Sequence, residues 1–70
     1  MPSINAHITG TVWKIEVKLG DTVAEGQTVV ILESMKMEMP IESPSAGKVT
    51  AILVKEGESV AEGAPVIQLV

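Results

Sequence analysis

The group best placed for covalent chemistry is the amine of Lys36, which lies between two methionines in the string Glu33-Ser34-Met35-Lys36-Met37-Glu38. Neither neighbour of Lys36 is acidic, so the amine has no adjacent carboxylate in the sequence. At the tip of a hairpin this amine would project into water and could be acylated by another enzyme, because amide formation converts a hydrated cation into a neutral link. By residue type alone, Lys36 is one more exposed surface lysine. The neighbouring sequence is therefore needed to distinguish a lysine that is acylated from an ordinary surface lysine.

The other polar residues near this segment do not assemble a catalytic site. Glu33 and Glu38 form a candidate carboxylate pair for acid–base work, but no nucleophile or pocket accompanies them in the sequence, and we interpret them as a solvated rim. Ser34 lacks a local base and does not lie in a nucleophile elbow. His7 is the only histidine in a chain without cysteine, which cannot make a usual metal site. We therefore predict no catalytic residue and no metal ligand.

Three methionines, Met35, Met37 and Met39, occupy alternate positions around the lysine. Such a pattern is typical of a strand edge that faces the core, but methionine is also common on adaptable binding surfaces. The sequence leaves both interpretations open.

An internal repeat organises the chain around this segment. When the sequence is shifted by 37 positions, about half of the residues from 10 to 32 are identical to those from 47 to 69. Two copies of one unit, related by a pseudo-two-fold axis, explain this similarity, because one half alone could not bury its apolar face. Residues 33 to 46 form an unrepeated connector that carries Lys36.

Within each copy the hydrophobic period is two, which predicts strands and no helix. We predict one buried face from Trp13, Ile15, Val17 and Leu19, with polar residues between them. Glycine-containing corners separate the strands, and a second apolar run follows in each copy, at 29 to 32 and at 66 to 69. The expected fold is all-β, a flattened antiparallel β-sandwich of short strands.

A tight turn must fall near residues 34 to 37, where the two strands of the connector meet. This segment contains no Asn-Gly or Asp-Gly pair, the dipeptides that usually form two-residue hairpins. A departure from local turn preference is a pointer to function at that place.

Composition restricts the classes of partner that we expect and the cellular compartment of the protein. Nine acidic residues against five lysines give a net charge of −4, which argues against a nucleic-acid partner. No apolar run approaches the roughly 20 residues that span a bilayer, and the amino terminus lacks the pattern of a signal peptide. With no cysteine to form disulfides, we expect one cytoplasmic domain covering residues 1–70, with no membrane association.

The central motif and its flanks resemble the biotinyl domains of the biotin/lipoyl attachment family, the biotin carboxyl carrier proteins. The resemblance covers nearly the whole chain and rests on segments in the family's order and spacing, namely residues 10–12, 17–21, 23–27, 33–38, 46–49 and 56–60. Ser34, before the first methionine, matches a subset of single-domain relatives described as biotin/lipoyl attachment proteins. The resemblance implies a barrel-sandwich hybrid fold, two four-stranded sheets with the modified lysine on a hairpin turn.

The same resemblance implies a function for the motif. Lys36 would carry covalent biotin, added by biotin protein ligase, and would shuttle a carboxyl group between the sites of biotin carboxylase and carboxyltransferase. Met35 and Met37 would help the ligase to recognise the hairpin, with Glu33, Ser34 and Glu38 at its rim. The domain itself would be a carrier and not an enzyme.

Two alternatives remain at this level. A lipoyl carrier for acyl transfer would use the same fold, but lipoyl domains usually have Asp-Lys-Ala at this place, so Met35 and Met37 favour biotin. An unmodified β-sandwich interaction module is the third interpretation, although such a module would have no reason to preserve Met-Lys-Met.

Overall fold

The computed structural model describes residues 3–70, which form eight β-strands and no helix. The strands are β1 (Ser3–Asn5), β2 (Gly10–Ile15), β3 (Thr22–Val23), β4 (Thr28–Ser34), β5 (Met37–Glu42), β6 (Gly47–Ile52), β7 (Ser59–Val60) and β8 (Pro65–Leu69). Residues 3–70 accordingly provide no helix long and apolar enough to cross a membrane.

The strands form two four-stranded antiparallel sheets, with the orders β1-β8-β6-β3 and β5-β4-β2-β7. The predicted repeat is visible when the two sheets are compared position by position. The strands β2, β3 and β4 of the first half are the counterparts of β6, β7 and β8 of the second. The two halves interlock, since β3 pairs with β6 of the second half and β7 pairs with β2 of the first. This arrangement confirms the predicted all-β barrel-sandwich hybrid and its pseudo-two-fold repeat.

The two halves turn the same corner in the same way. Gly20 and Gly57 have φ of 88° and 89°, a conformation that a Cβ atom disfavours. Just before Gly20, the backbone N–H of Lys18 donates to Asp21 Oδ2 at 2.9 Å, and the corresponding Lys55 N–H donates to Glu58 Oε1 at 3.0 Å. The predicted glycine corners are therefore confirmed, each locked by an acidic side chain.

The core lies between the sheets and consists of aliphatic side chains contributed by both halves. Its members are Ile4, Ala6, Val12, Val17, Val23, Val29, Val30, Leu32, Ile41, Val49, Val54, Val60, Val66, Ile67 and Leu69. Ile4 and Ile41 are both buried and lie 37 positions apart, as do the buried Ala6 and Ser43. The repeat therefore extends through β1, which is the counterpart of β5 and which the sequence pattern alone did not reveal.

The predicted buried face of the first strand is partly wrong. Val12 is fully buried, whereas Trp13 is 48% exposed and Leu19 is 66% exposed. The reason is a shift in the pairing of β2 with β4 between Val12 and Lys14, which leaves Trp13 as an extra residue and breaks the alternation. β2 also ends at Ile15, so Leu19 lies in the following loop.

Candidate functional site

The connector forms a β-hairpin in which β4 and β5 are joined by only two residues. Ser34 pairs with Met37 as the last rung, and Met35 with Lys36 makes the turn. Both turn residues have positive φ, 50° at Met35 and 65° at Lys36. Positive φ at both central residues is the mark of the type I′ turn, which matches the right-handed twist of the strands. The tight turn predicted near residues 34 to 37 is therefore confirmed.

This turn is built from residues that do not favour it. Met35 and Lys36 are the two non-glycine residues with positive φ in the part of the chain that the structure describes. A left-handed conformation costs a residue with a Cβ atom about 1 kcal/mol relative to glycine. The fold thus holds two unfavourable backbone conformations at the position where the sequence motif occurs, which is typical of functional sites.

The turn presents its side chains to solvent. Met35 is 92% exposed, Met37 is 61% exposed, and Lys36 is also exposed. Met39, two residues further along β5, is half-buried and pairs with the core residue Leu32. Packing into the core, one of the two interpretations of the methionine pattern, is therefore wrong for Met35 and Met37, and only Met39 turns toward the interior.

The Lys36 amine is available for reaction. Within residues 3–70 the one ion pair within 4 Å joins Lys14 Nζ to Glu16 Oε1, at 3.7 Å, so Lys36 has no carboxylate partner there. The long apolar stem and the protruding turn together carry the amine away from the body of the domain. This arrangement suits a lysine that another protein must reach and acylate.

The two rim carboxylates face each other across the hairpin. Glu33 in β4 pairs directly with Glu38 in β5, one rung from the last, and both are exposed. Like charges at directly opposite positions are mildly destabilising. The strands of the sheet β5-β4-β2-β7 carry three carboxylates, Glu33, Glu38 and Glu42, and one cation, Lys14, whereas the single charged strand residue of the other sheet is Lys48. The two carboxylates closest to the turn in the hairpin, Glu33 and Glu38, therefore place negative charge just below Lys36.

Gly10 supports the base of the hairpin, a role that the sequence analysis did not recognise. A Cβ atom on Gly10 would lie 2.7 Å from the carbonyl oxygen of Glu33 and 3.4 Å from Ser34 Cβ. The absence of a side chain lets β2 approach β4 closely just below the turn. The match of Gly10 with Gly47 in the repeat was the available signal, since a Cβ on Gly47 would also be crowded, 3.0 Å from the Val70 carbonyl oxygen.

An open groove of about 410 Å³ lies elsewhere, along the facing strands β1 and β5. It is lined by Ser3, Ile4, Asn5, His7, Pro40, Ile41, Glu42 and Pro44. None of residues 33–38 lines this groove, so Lys36, Ser34 and the Glu33–Glu38 pair lie outside the groove that His7 lines. Among the residues that the structure describes, no three His, Cys, Asp or Glu side chains come together as a metal site requires.

Similar proteins share this combination of fold and motif. The family model for biotin/lipoyl domains, described as biotin-requiring enzyme, matches residues 1–69. The biotin/lipoyl attachment protein of Bacillus subtilis is 47% identical over 47 residues, covering 67% of this chain and 64% of that protein. The biotin carboxyl carrier protein of Streptococcus mutans is 50% identical over 46 residues, covering 66% of this chain and 35% of the relative.

A solved structure agrees with the sequence comparisons. The urea carboxylase of Kluyveromyces lactis contains a region that superimposes with a TM-score of 0.92 at 38% identity, over 99% of this chain and 6% of the carboxylase. The chain thus spans about two thirds of the Bacillus protein and much smaller shares of the others. With a family match that extends over nearly all its residues and a fold that agrees with it, the chain belongs to the biotin/lipoyl family.

Proposed function

We propose that the protein is a biotin carrier in which the ε-amine of Lys36 is joined to biotin through an amide bond. The observation that carries this proposal is the position of Lys36 on an exposed two-residue turn whose backbone is held at positive φ, between the exposed Met35 and Met37. The names of two relatives, a biotin/lipoyl attachment protein and a biotin carboxyl carrier protein, support it.

The residues present fit a covalently attached group better than a bound one. The groove along β1 and β5 is not lined by residues 33–38, and Met35 and Lys36 are exposed on the turn. A tether suits this exposed position, because the lysine stem holds the group at high effective concentration without a binding pocket. The amine has no carboxylate partner within residues 3–70, which leaves it free to form the amide.

The hairpin serves as a substrate for other enzymes and not as a catalytic site. When attached, biotin supplies a ring nitrogen that accepts and delivers a carboxyl group. The chain's own contribution is to hold Lys36 on a protruding turn, so that a biotin carboxylase and a carboxyltransferase can each reach the same arm. The protein is thus a carrier domain or subunit of a biotin-dependent carboxylase system.

The partner that attaches biotin, a biotin protein ligase, would meet a distinctive surface at the hairpin. Met35 and Met37 offer exposed apolar side chains, and the rim of Glu33, Ser34 and Glu38 offers negative charge that complements a basic ligase surface. Location in the cytoplasm stays a prediction of the sequence, which fractionation of cells producing the protein would test.

A direct assay compares the two cofactors that this family carries. The protein is incubated with ATP, biotin and a biotin protein ligase, and in parallel with ATP, lipoate and a lipoate ligase, and the intact mass is then measured. We expect one biotinyl group per chain in the first reaction and no lipoyl group in the second. A lipoyl adduct alone would make the protein a carrier for acyl transfer, and no adduct in either reaction would favour an unmodified interaction module.

A further inference from the structure

We propose that the thioethers of Met35 and Met37 form a site of reversible oxidation by hydroperoxides, and that their oxidation prevents biotin attachment at Lys36. The effect on attachment rests on the proposed function, whereas the oxidation itself does not. Met35 is 92% exposed and Met37 is 61% exposed, and the two sulfur-containing side chains immediately flank Lys36.

The chemistry at each sulfur is a two-electron oxygen transfer. A lone pair of the thioether sulfur attacks the terminal oxygen of a hydroperoxide ROOH, the O–O bond breaks, and the proton of the hydroperoxide leaves with the alkoxide as ROH. The sulfur is oxidised to the sulfoxide, and the peroxide is reduced to the alcohol, or to water when R is hydrogen. A methionine sulfoxide reductase with a thiol reductant reverses the reaction.

Exposure selects these two methionines within the hairpin. Met39 belongs to the same strand as Met37 but is half-buried opposite Leu32, so a peroxide reaches its sulfur less readily. The chain contains no cysteine, so no thiol in the protein competes for the oxidant. Met39 thus provides an internal control two residues from the proposed site.

Oxidation should change recognition without unfolding the domain. The side chain of Met35 contributes almost no buried surface, so its conversion to a polar sulfoxide removes little from the core. A ligase that covers the turn must instead take both side chains out of water. The sulfoxides would then bring polar oxygens into a surface that accepted apolar thioethers, and an unsatisfied buried polar group is unfavourable.

The first stage of the test maps oxidation without any ligase. The protein is treated with dilute hydrogen peroxide for increasing times, the peroxide is removed, and the chain is cleaved after glutamate. Peptide 34–38 then carries Met35 and Met37, and peptide 39–42 carries Met39. We expect the sulfoxide to form several-fold faster in peptide 34–38. Equal rates in the two peptides would overturn the claim that the turn is a selective site.

The second stage measures biotin attachment to unoxidised, oxidised and reductase-treated protein, each freed of peroxide before the ligase is added. We expect kcat/KM of the ligase to fall about tenfold or more on oxidation and to recover after reductase treatment. The Met39→Leu variant is the matched control and should remain equally sensitive to peroxide. Equal attachment rates before and after oxidation, or loss of sensitivity in Met39→Leu, would contradict the inference. Failure of the unoxidised protein to accept biotin would instead refute the proposed function, and this inference with it.

Discussion

Gly10 and Glu33 lie so close together that a Cβ atom on Gly10 would be 2.7 Å from the Glu33 carbonyl oxygen. Since this carbonyl belongs to the backbone of β4, a side chain at position 10 can fit only if the base of the hairpin moves. The contact links the second strand of the fold to the turn that carries Lys36, because Ser34 and Met35 directly follow Glu33. The position of the turn therefore depends on a residue that is distant from it in sequence.

We predict that Gly10→Ala lowers the free energy of unfolding by about 1–3 kcal/mol, the range for forcing extra atoms into a packed site. Urea unfolding monitored by circular dichroism measures this change. The variant should also accept biotin more slowly, because the hairpin base is displaced. The matched control is Gly47→Ala, whose Cβ would be 3.0 Å from the Val70 carbonyl oxygen in the other half. It should lose stability but be biotinylated normally, and a similar loss of biotinylation in both variants would argue against a local effect of Gly10.

The turn should become more stable when Met35 is replaced by a residue that tolerates positive φ. Asparagine is favoured at the first position of a type I′ turn, where Met35 has φ of 50°. We predict that Met35→Asn raises the free energy of unfolding by about 0.5–1 kcal/mol and slows biotin attachment. Thermal and urea unfolding check the first part, and a ligase assay checks the second. Met37→Asn, in a strand and not in the turn, should bring no such gain in stability, and an equal gain there would refute the explanation.

Trp13 occupies the extra position of the irregular pairing in β2. Its large side chain should therefore contribute less to the stability of the fold than the smaller side chain of Val12. We predict that Trp13→Thr, which introduces the residue found at the equivalent Thr50, changes the free energy of unfolding by less than about 1 kcal/mol. Val12→Ala should cost about 2 kcal/mol, because Val12 is fully buried. Equilibrium unfolding in urea compares the two variants, and a larger loss for Trp13→Thr would mean that Trp13 supports the core.

The like-charged pair of Glu33 and Glu38 should slightly destabilise the fold and assist recognition of the hairpin by the ligase. We predict that Glu33→Gln leaves stability unchanged or raises it by a few tenths of a kcal/mol, since it removes repulsion from Glu38 across the strands. The same change should slow the ligase at low ionic strength and have less effect at high salt. Glu25→Gln, an exposed carboxylate outside the strands, is the control and should leave the ligase rate unchanged. A salt-independent effect of Glu33→Gln would remove the electrostatic explanation.

Much of this fold could be predicted because the repeat, the apolar runs and the glycine corners can be recognised directly in the sequence. The apolar runs at 29 to 32 and at 66 to 69 became β4 and β8, and Gly20 with Gly57 became the corners. The position of the turn followed from where two strands had to meet, and the unfavourable conformations of Met35 and Lys36 agree with the missing Asn-Gly signal.

What could not be predicted depends on contacts between distant residues. Trp13 is exposed because the register between β2 and β4 shifts at this residue. This shift depends on the partner strand, so the hydrophobic period within β2 does not reveal it. The place of β1 depends on pairing with β8 at the other end of the chain, and the crowding at Gly10 depends on the approach of Glu33. The geometry of the turn explains why the Lys36 amine can be reached, whereas the choice of biotin in our proposal rests on the Met-Lys-Met motif and on the relatives.

The measurement that tests the account most directly is the location of biotin in the modified protein. The chain and its Lys36→Arg variant are incubated with biotin, ATP and a biotin protein ligase, and both are examined by intact mass, peptide mapping and circular dichroism. We predict one biotinyl group on Lys36 in the original chain and none in the variant, which should keep its fold because the turn is exposed. Lys48→Arg, a change of the same type in the other sheet, should be biotinylated normally. Biotin on another lysine, or continued modification of a folded Lys36→Arg variant, would contradict the assignment.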